Sequence, residues 1–315
     1  MLVFALVTVG LAPTANADQY PSRPITIIVP LTAGTTADVL ARIYAEAASK
    51  RLGQPVVILN KPGASGLVGA QATAAAAPDG YTIQIANSGQ VIAGMLSKNL
   101  SFNTVSDFAG IAMVGEAPAV VAVSPTLNVK NLQDFVAMAR AKAGAWNYGS
   151  AGVGSSTHLA GALFLARTGI NMVHVPYKTA TDLLSDLVTG RVEATFSPAA
   201  FVSPLVKEGK LQSLAVGAEE PQTDPFPAPT ARSVGVDYLY STWYGFLAPV
   251  RTPQDVLNTL ATAFAAAATD PEVEAKVRNQ GIATKVRTLV AFDTHIRDNA
   301  NTLAPVIENV ARDLR

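Results

Sequence analysis

Ser155, Ser156 and His158 place hydroxyls and a base within one short stretch, the elements of nucleophilic catalysis. Residues two or three apart at a helix start rarely face each other as nucleophile and base, and the hydroxyls suit helix capping better. The other histidines, His174 and His295, show no metal-ligand spacing; one falls on an apolar strand and the other in a terminal helix, so structural roles are expected. No G-x-S-x-G elbow and no G-x-x-x-x-G-K-[ST] loop occurs. Gly152-Val-Gly154-Ser-Ser-Thr157 carries two glycines of a dinucleotide fingerprint but lacks the third, and no acid follows at the required distance. Cysteine is absent, which removes thiolate metal sites, cysteine nucleophiles and disulfide scaffolds together. No metal and no cofactor are expected.

What remains is anion-binding chemistry at the ends of strands. The β-branched run Ile25–Val29 breaks at Pro30, and Thr32, Ala33, Gly34, Thr35, Thr36 and Asp38 precede an apolar helical pattern at Val39, Leu40 and Ile43. The first N–H groups of such a helix have no intrahelical partner, and its dipole favours negative charge there. Asp38 cannot help an anion directly; it is expected to accept N–H groups and hold the loop's shape. A second copy of this geometry follows Trp146–Tyr148, where Ser150, Ala151, Gly152, Gly154, Ser155 and Ser156 open another helix. Two such loops suggest two lobes facing each other across a cleft. Asn87 and Ser88 end a third strand, at the edge where ligands sit in open α/β sheets. Three or four charge-assisted hydrogen bonds at about 1.5–3 kcal/mol each, with a helix terminus adding about 0.3–1, approach the roughly 8 kcal/mol of micromolar binding without any arginine.

The elements that must position these loops alternate strand and helix from Tyr20 to about Val123, which predicts sheets flanked by helices. Ala119–Ser124 is long enough to leave the first lobe, and Thr242–Ala248 to carry the chain back. The Pro- and acid-rich stretch 219–232 reads as a surface loop, and Pro305 should bend or split the last helix. Trp243 and Tyr244 admit two readings, core packing or an aromatic wall of the cleft. Zero formal charge, with only 15% charged residues, excludes a basic field for nucleic acid or an anionic membrane. Leu2–Leu11 followed by Ala15-Asn16-Ala17 has the form of a secretory signal, so residues 1–17 are expected to be removed. The lobes are then expected at 18–122 with 243–315, and at 123–242.

The chain resembles the solute receptors of tripartite tricarboxylate transporters, the Bug (Bordetella uptake gene) family. The resemblance is carried by Tyr20-Pro-Ser-Arg-Pro-Ile25, Val29-Pro30 with Gly34 and Asp38, Asn60-Lys-Pro-Gly-Ala64, Ala77-Pro-Asp-Gly-Tyr-Thr82, Gly149-Ser-Ala-Gly-Val-Gly-Ser155 with His158, Val175-Pro-Tyr-Lys178 and Trp243-Tyr-Gly-Phe-Leu-Ala-Pro249. It implies an α/β, two-lobed periplasmic binding protein of type II (Venus flytrap), each lobe a mostly parallel sheet flanked by helices, with two crossing hinge strands. It further implies a monomer that closes on a small organic carboxylate and delivers it to membrane permease subunits or, in a variant role, to a sensor kinase. Thr32–Asp38 and Ser150–Ser156 would grip the carboxylate, with Asn87, Ser88, Thr179, Ala180 and Thr181 lining the rest. Two departures bear on the ligand. Ala33-Gly34-Thr35 stands where many members have Pro-Gly-Gly. Ser197-Pro198 stands where amino-acid binders often carry an acid, which favours a plain dicarboxylate, a tricarboxylate or an aromatic acid such as a phthalate. The alternative from another class is a secreted enzyme acting on small carboxylates.

Overall fold

The computed structural model describes residues 20–97, 99–223 and 226–313; the expected signal segment, residues 1–17, lies outside them. The first half of the sheet is built from β1 (Ile25–Val29), α1 (Thr36–Leu52), β2 (Val56–Asn60), α2 (Leu67–Ala74), β3 (Thr82–Asn87) and α3 (Ser88–Leu96). Helical crossovers make β1 parallel to both β2 and β3. β4 (Phe108–Val123) then runs on through Pro118, and α4 (Leu132–Ala141), β5 (Asn147–Ser150), α5 (Ser156–Thr168), β6 (Val173–Pro176), α6 (Ala180–Thr189), β7 (Ala194–Pro198), α7 (Ala199–Lys207) and β8 (Gln212–Val216) form the second half. β9 (Ser241–Pro249), α8 (Gln254–Ala268), α9 (Pro271–Arg278), β10 (Arg287–Thr288) and α10 (Leu289–Asp313) complete the chain.

The strand order is β2-β1-β3-β9-β4-β7-β5-β6, with β10 and β8 also paired to β4. β4 belongs to both halves: Phe108–Pro118 pairs with β9, and Ala119–Val123 with β7 and β8. A second crossing lies beside it, where the Ala119 N–H donates to the Tyr240 carbonyl at 2.9 Å and the Gly217 N–H to the Ala119 carbonyl at 2.8 Å. These are the two crossing strands that the family resemblance implies. The sheet is mixed rather than mostly parallel: only the outer pairs β1–β2, β1–β3, β5–β6 and β5–β7 are parallel. β4 and β9 enter each half from the other, so they run against their neighbours.

Each half buries an apolar core on both sheet faces. α10 joins them: Phe292, Ile296 and Ala300 pack with Trp243 and Phe108, whereas Leu303, Val306, Ile307 and Val310 pack with Phe164 and Tyr238 of the second half. Pro305 does not split this helix. The stretch read as a surface loop is anchored: Phe226 and Ala228 are buried against Val216, and Gln222 bridges Ala228. Its prolines mask the apolar spacing that would have shown this.

Candidate functional site

The β1–α1 loop is shaped from below. Thr32, Ala33 and Gly34 are exposed, and Gly34 turns the chain at φ +84°, a conformation that disfavours a side chain. The Asp38 carboxylate accepts the Gly34 N–H at 3.0 Å, two bonds from Arg42 at 3.0 Å and one from Asn60 Nδ2 at 2.9 Å. Hydrogen bonds from Arg42 lead the groups that hold its pKa near about 2, against the opposing effect of burial. Asp38 therefore lies beneath the loop, its charge neutralised. Thr35 precedes α1 but its side chain accepts no helix amide; its hydroxyl instead donates to the Thr32 carbonyl at 2.9 Å. The first amides of α1 are left without a side-chain acceptor. Tyr244 reaches this side of the sheet from β9, buried in the core that holds Val29 and Ala37.

The β5–α5 loop is closed on itself. The Ala151 N–H donates to Thr157 Oγ1 at 2.9 Å, the Gly152 N–H to Ser150 Oγ at 3.2 Å, the Gly154 N–H to His158 Nδ1 at 3.0 Å and the Ser155 N–H to the Gly152 carbonyl at 3.2 Å. Ser155 caps α5 by accepting the His158 N–H at 3.2 Å. Gly152 lies at φ +110°. Ser150 is fully buried, with Oγ 2.6 Å from His174 Nε2. Burial lowers the basicity of both histidines, and the neighbouring His174 pushes His158 further down, to about 4. The His158 imidazole accepts a backbone amide, and the buried Ser150 offers substrate no approach, so neither Ser–His arrangement is set for nucleophilic attack.

The remaining sequence-predicted residues divide. Asn87 caps α3 by accepting the Gln90 N–H at 3.2 Å, and it borders a small cavity with Pro30, Leu31, Ala37 and Gln90. That cavity, about 10 Å³, approaches the size of one water. Ser88 is fully buried, and Ser197 is too, bonded to Thr195 Oγ1 at 2.8 Å beneath β5. Thr179 caps α6, and its hydroxyl donates to Asp182 at 2.7 Å; that acid in the first turn makes the α6 start a poorer anion site than the starts of α1 and α5. Thr181 is exposed, and Ala180 opens the helix. The two loops are linked through α3. Its N-terminus meets the β1–α1 loop, and Leu96 at its far end faces Gly154. Roughly 1.5 Å of rise per residue puts the ends of α3 about 13 Å apart.

Sequence reasoning missed Gln90, Asn60 and Arg42. Gln90 is 2% exposed with both amide atoms unpartnered, and a glutamine beside Val91 and Ile92 at a helix start was the available signal. Trp243 is fully buried against Phe292, so of the aromatic pair only Tyr244 lies on the loop's side of the sheet. A cavity of about 590 Å³ lies elsewhere, between α7, residues 216–223 and residues 278–285. Glu116, Glu219, Glu220 and Glu274 outnumber Arg278 and Lys285 there, which disfavours a carboxylate.

Residues 40–311 match the family described as tripartite tricarboxylate transporter family receptor. Protein BugT of Bordetella pertussis is 34% identical over 259 residues, 81% of this chain and 79% of that protein. A TctC solute binding protein from Polaromonas, solved with no ligand, superposes at a TM-score of 0.83 with 29% identity, over 92% of this chain and 99% of that one. The structure of R. palustris Rpa4515 with adipate, also 29% identical, gives 0.69 over 93% and 97%. These relatives are solute-binding proteins rather than enzymes, which removes the catalytic reading of Ser155, Ser156 and His158. Strand ends, glycine turns and family match converge: this chain belongs to the receptors of the tripartite tricarboxylate transporter family, periplasmic binding proteins for small carboxylates.

Proposed function

We propose that this receptor takes a small organic dicarboxylate or aromatic acid between the β1–α1 and β5–α5 loops and delivers it to the membrane permease subunits of a tripartite tricarboxylate transporter. The observation that carries the reading is the start of α1. Its amides have no side-chain cap, its one acid is neutralised by Arg42, and Thr36 sets a hydroxyl beside it. On the facing side, Ser155, Ser156 and Ala151 present a preformed turn. The lobes, read from the sequence as 18–122 with 243–315 and 123–242, are taken to divide a few residues earlier on β4, at Pro118, with the hinge there and in the stretch just before β9.

A thermal-shift panel of adipate, other aliphatic dicarboxylates, tricarboxylates, aromatic acids and free amino acids tests this. Dicarboxylates or phthalate raise the melting temperature and are recovered unchanged; aspartate and glutamate do not, because Ser197 is buried and offers no countercharge to an ammonium group. No shift from any organic acid, or a shift from amino acids alone, overturns the reading. The periplasmic location is tested by N-terminal sequencing of the protein from an osmotic-shock fraction, expected to begin near Asp18.

A further inference from the structure

Two imidazoles lie face to face against the β5–α5 loop. The His158 and His174 rings stack with centroids 3.7 Å apart and planes 5° from parallel, and the Tyr148 ring tilts against both. Each histidine reaches one end of the loop. At its start, His174 Nε2 lies 2.6 Å from Ser150 Oγ, which in turn is 3.1 Å from the Gly152 carbonyl. At its end, the Gly154 N–H donates to His158 Nδ1 at 3.0 Å.

The two ends respond differently to a proton. With a proton on His174 Nε2, that nitrogen donates to Ser150 Oγ and the serine hydroxyl donates to the Gly152 carbonyl, so both contacts survive. A proton on His158 Nδ1 instead points donor against donor at the Gly154 N–H, and that end must open. Two imidazolium ions at this separation repel, so the pair titrates as a unit and the first proton excludes the second. His174 is the less buried ring and can hold a proton without disturbing the loop.

We infer that His158 and His174 are positioning residues of the carboxylate loop: His158, kept from a proton by its burial, is the acceptor that fixes Gly154, and His174 is the stacked neighbour that, once protonated, opposes a proton on His158. The inference rests on the proposed function in taking this loop as ligand-facing. Among the described residues, the titratable groups facing the pair are Tyr148 from β5 and the two rings themselves. Residues 150–156 carry no charge, nor does α3; Arg167 lies at the far end of α5, near Asp237. α10, which packs along α5, brings no charged group that shifts either ring.

The test follows the Gly154 backbone amide by NMR in the full chain, without ligand, from pH 8 to pH 4. In the native protein this resonance moves with His158 as the lower end of the range is approached. His158→Asn sets an amide oxygen near the place of Nδ1; it accepts the same N–H, cannot take up a proton, and makes the resonance insensitive to pH. His174→Gln removes the competing charge and moves the Gly154 transition to higher pH. A resonance that titrates in His158→Asn as in the native chain, or an unmoved transition in His174→Gln, overturns the inference. Adipate affinity at pH 7.5 supplies a second readout. His158→Asn retains it within about threefold, whereas His158→Leu, which fills the space without an acceptor, loses roughly tenfold. Equal loss in both variants also overturns it. If adipate binds none of these proteins, the function proposed for that acid fails separately, and the Gly154 titration still decides the roles of the histidines.

Discussion

The two glycine loops look alike in composition yet are built on opposite plans. In the β1–α1 loop the fixing group is a buried carboxylate underneath, and the helix amides above it are uncapped. In the β5–α5 loop the fixing groups are hydroxyls and imidazoles around the turn, four loop amides are internally bonded, and the helix start is capped. Donors gathered by a helix terminus therefore come mainly from the first loop, while the second contributes a rigid surface with hydroxyls. A charge placed under a loop neutralises a neighbouring guanidinium; a hydroxyl placed at a cap uses up the amide that a ligand would otherwise meet.

The sharpest break of this contrast is Asp38→Ala. It strands Arg42, Asn60 and the Gly34 N–H together, and should cost about 2–3 kcal/mol in chemical denaturation with at least a tenfold loss of ligand affinity. Next come the turn glycines. Neither would meet a neighbour on gaining a Cβ, so the cost is conformational: about 1 kcal/mol for Gly34→Ala, and about 2 for Gly152→Ala, whose φ lies further from the left-handed minimum. Equal costs would erase the distinction between the turns.

Acid should loosen the second loop before the first. An unfolded chain protonates the histidine near 6.5, whereas folded His158 waits until about 4, so stability falls as pH drops through that window. His295, buried and likewise lowered to about 4, adds to the same loss. Asp38 titrates later: the unfolded carboxylate takes its proton near 3.8 and the folded one near about 2, so its contribution disappears only in that more acidic interval. Amide exchange at each loop across the two windows reads the order directly. The smallest effect separates the caps: Ser155→Ala should cost about 1 kcal/mol and Thr35→Ala within about 0.5.

Much of this arrangement was legible in the chain. The Pro30 break, the glycines and Asp38 declare the first turn because local backbone chemistry dictates them, and the role of Asp38 as loop support follows from its charge alone. Ser88 and Ser197, expected to line the cleft, are buried, because their exposure depends on what packs over a strand end, which no local pattern records. The His158–His174 stack was hidden for a related reason. It forms only when β6 pairs in register beside β5, bringing together residues sixteen positions apart, and periodicity within either segment carries no trace of that pairing.

α10 is a single rod gripping both cores, with Phe292, Ile296 and Ala300 on one side of the passage and Leu303, Val306, Ile307 and Val310 on the other. Pro305 sits where the rod crosses, and without an N–H it leaves the carbonyl of Asn301 unbound by the usual helical ladder. The helix thus ties the two halves together along one rod whose ladder lacks a single hydrogen bond, at the turn between its two sets of contacts.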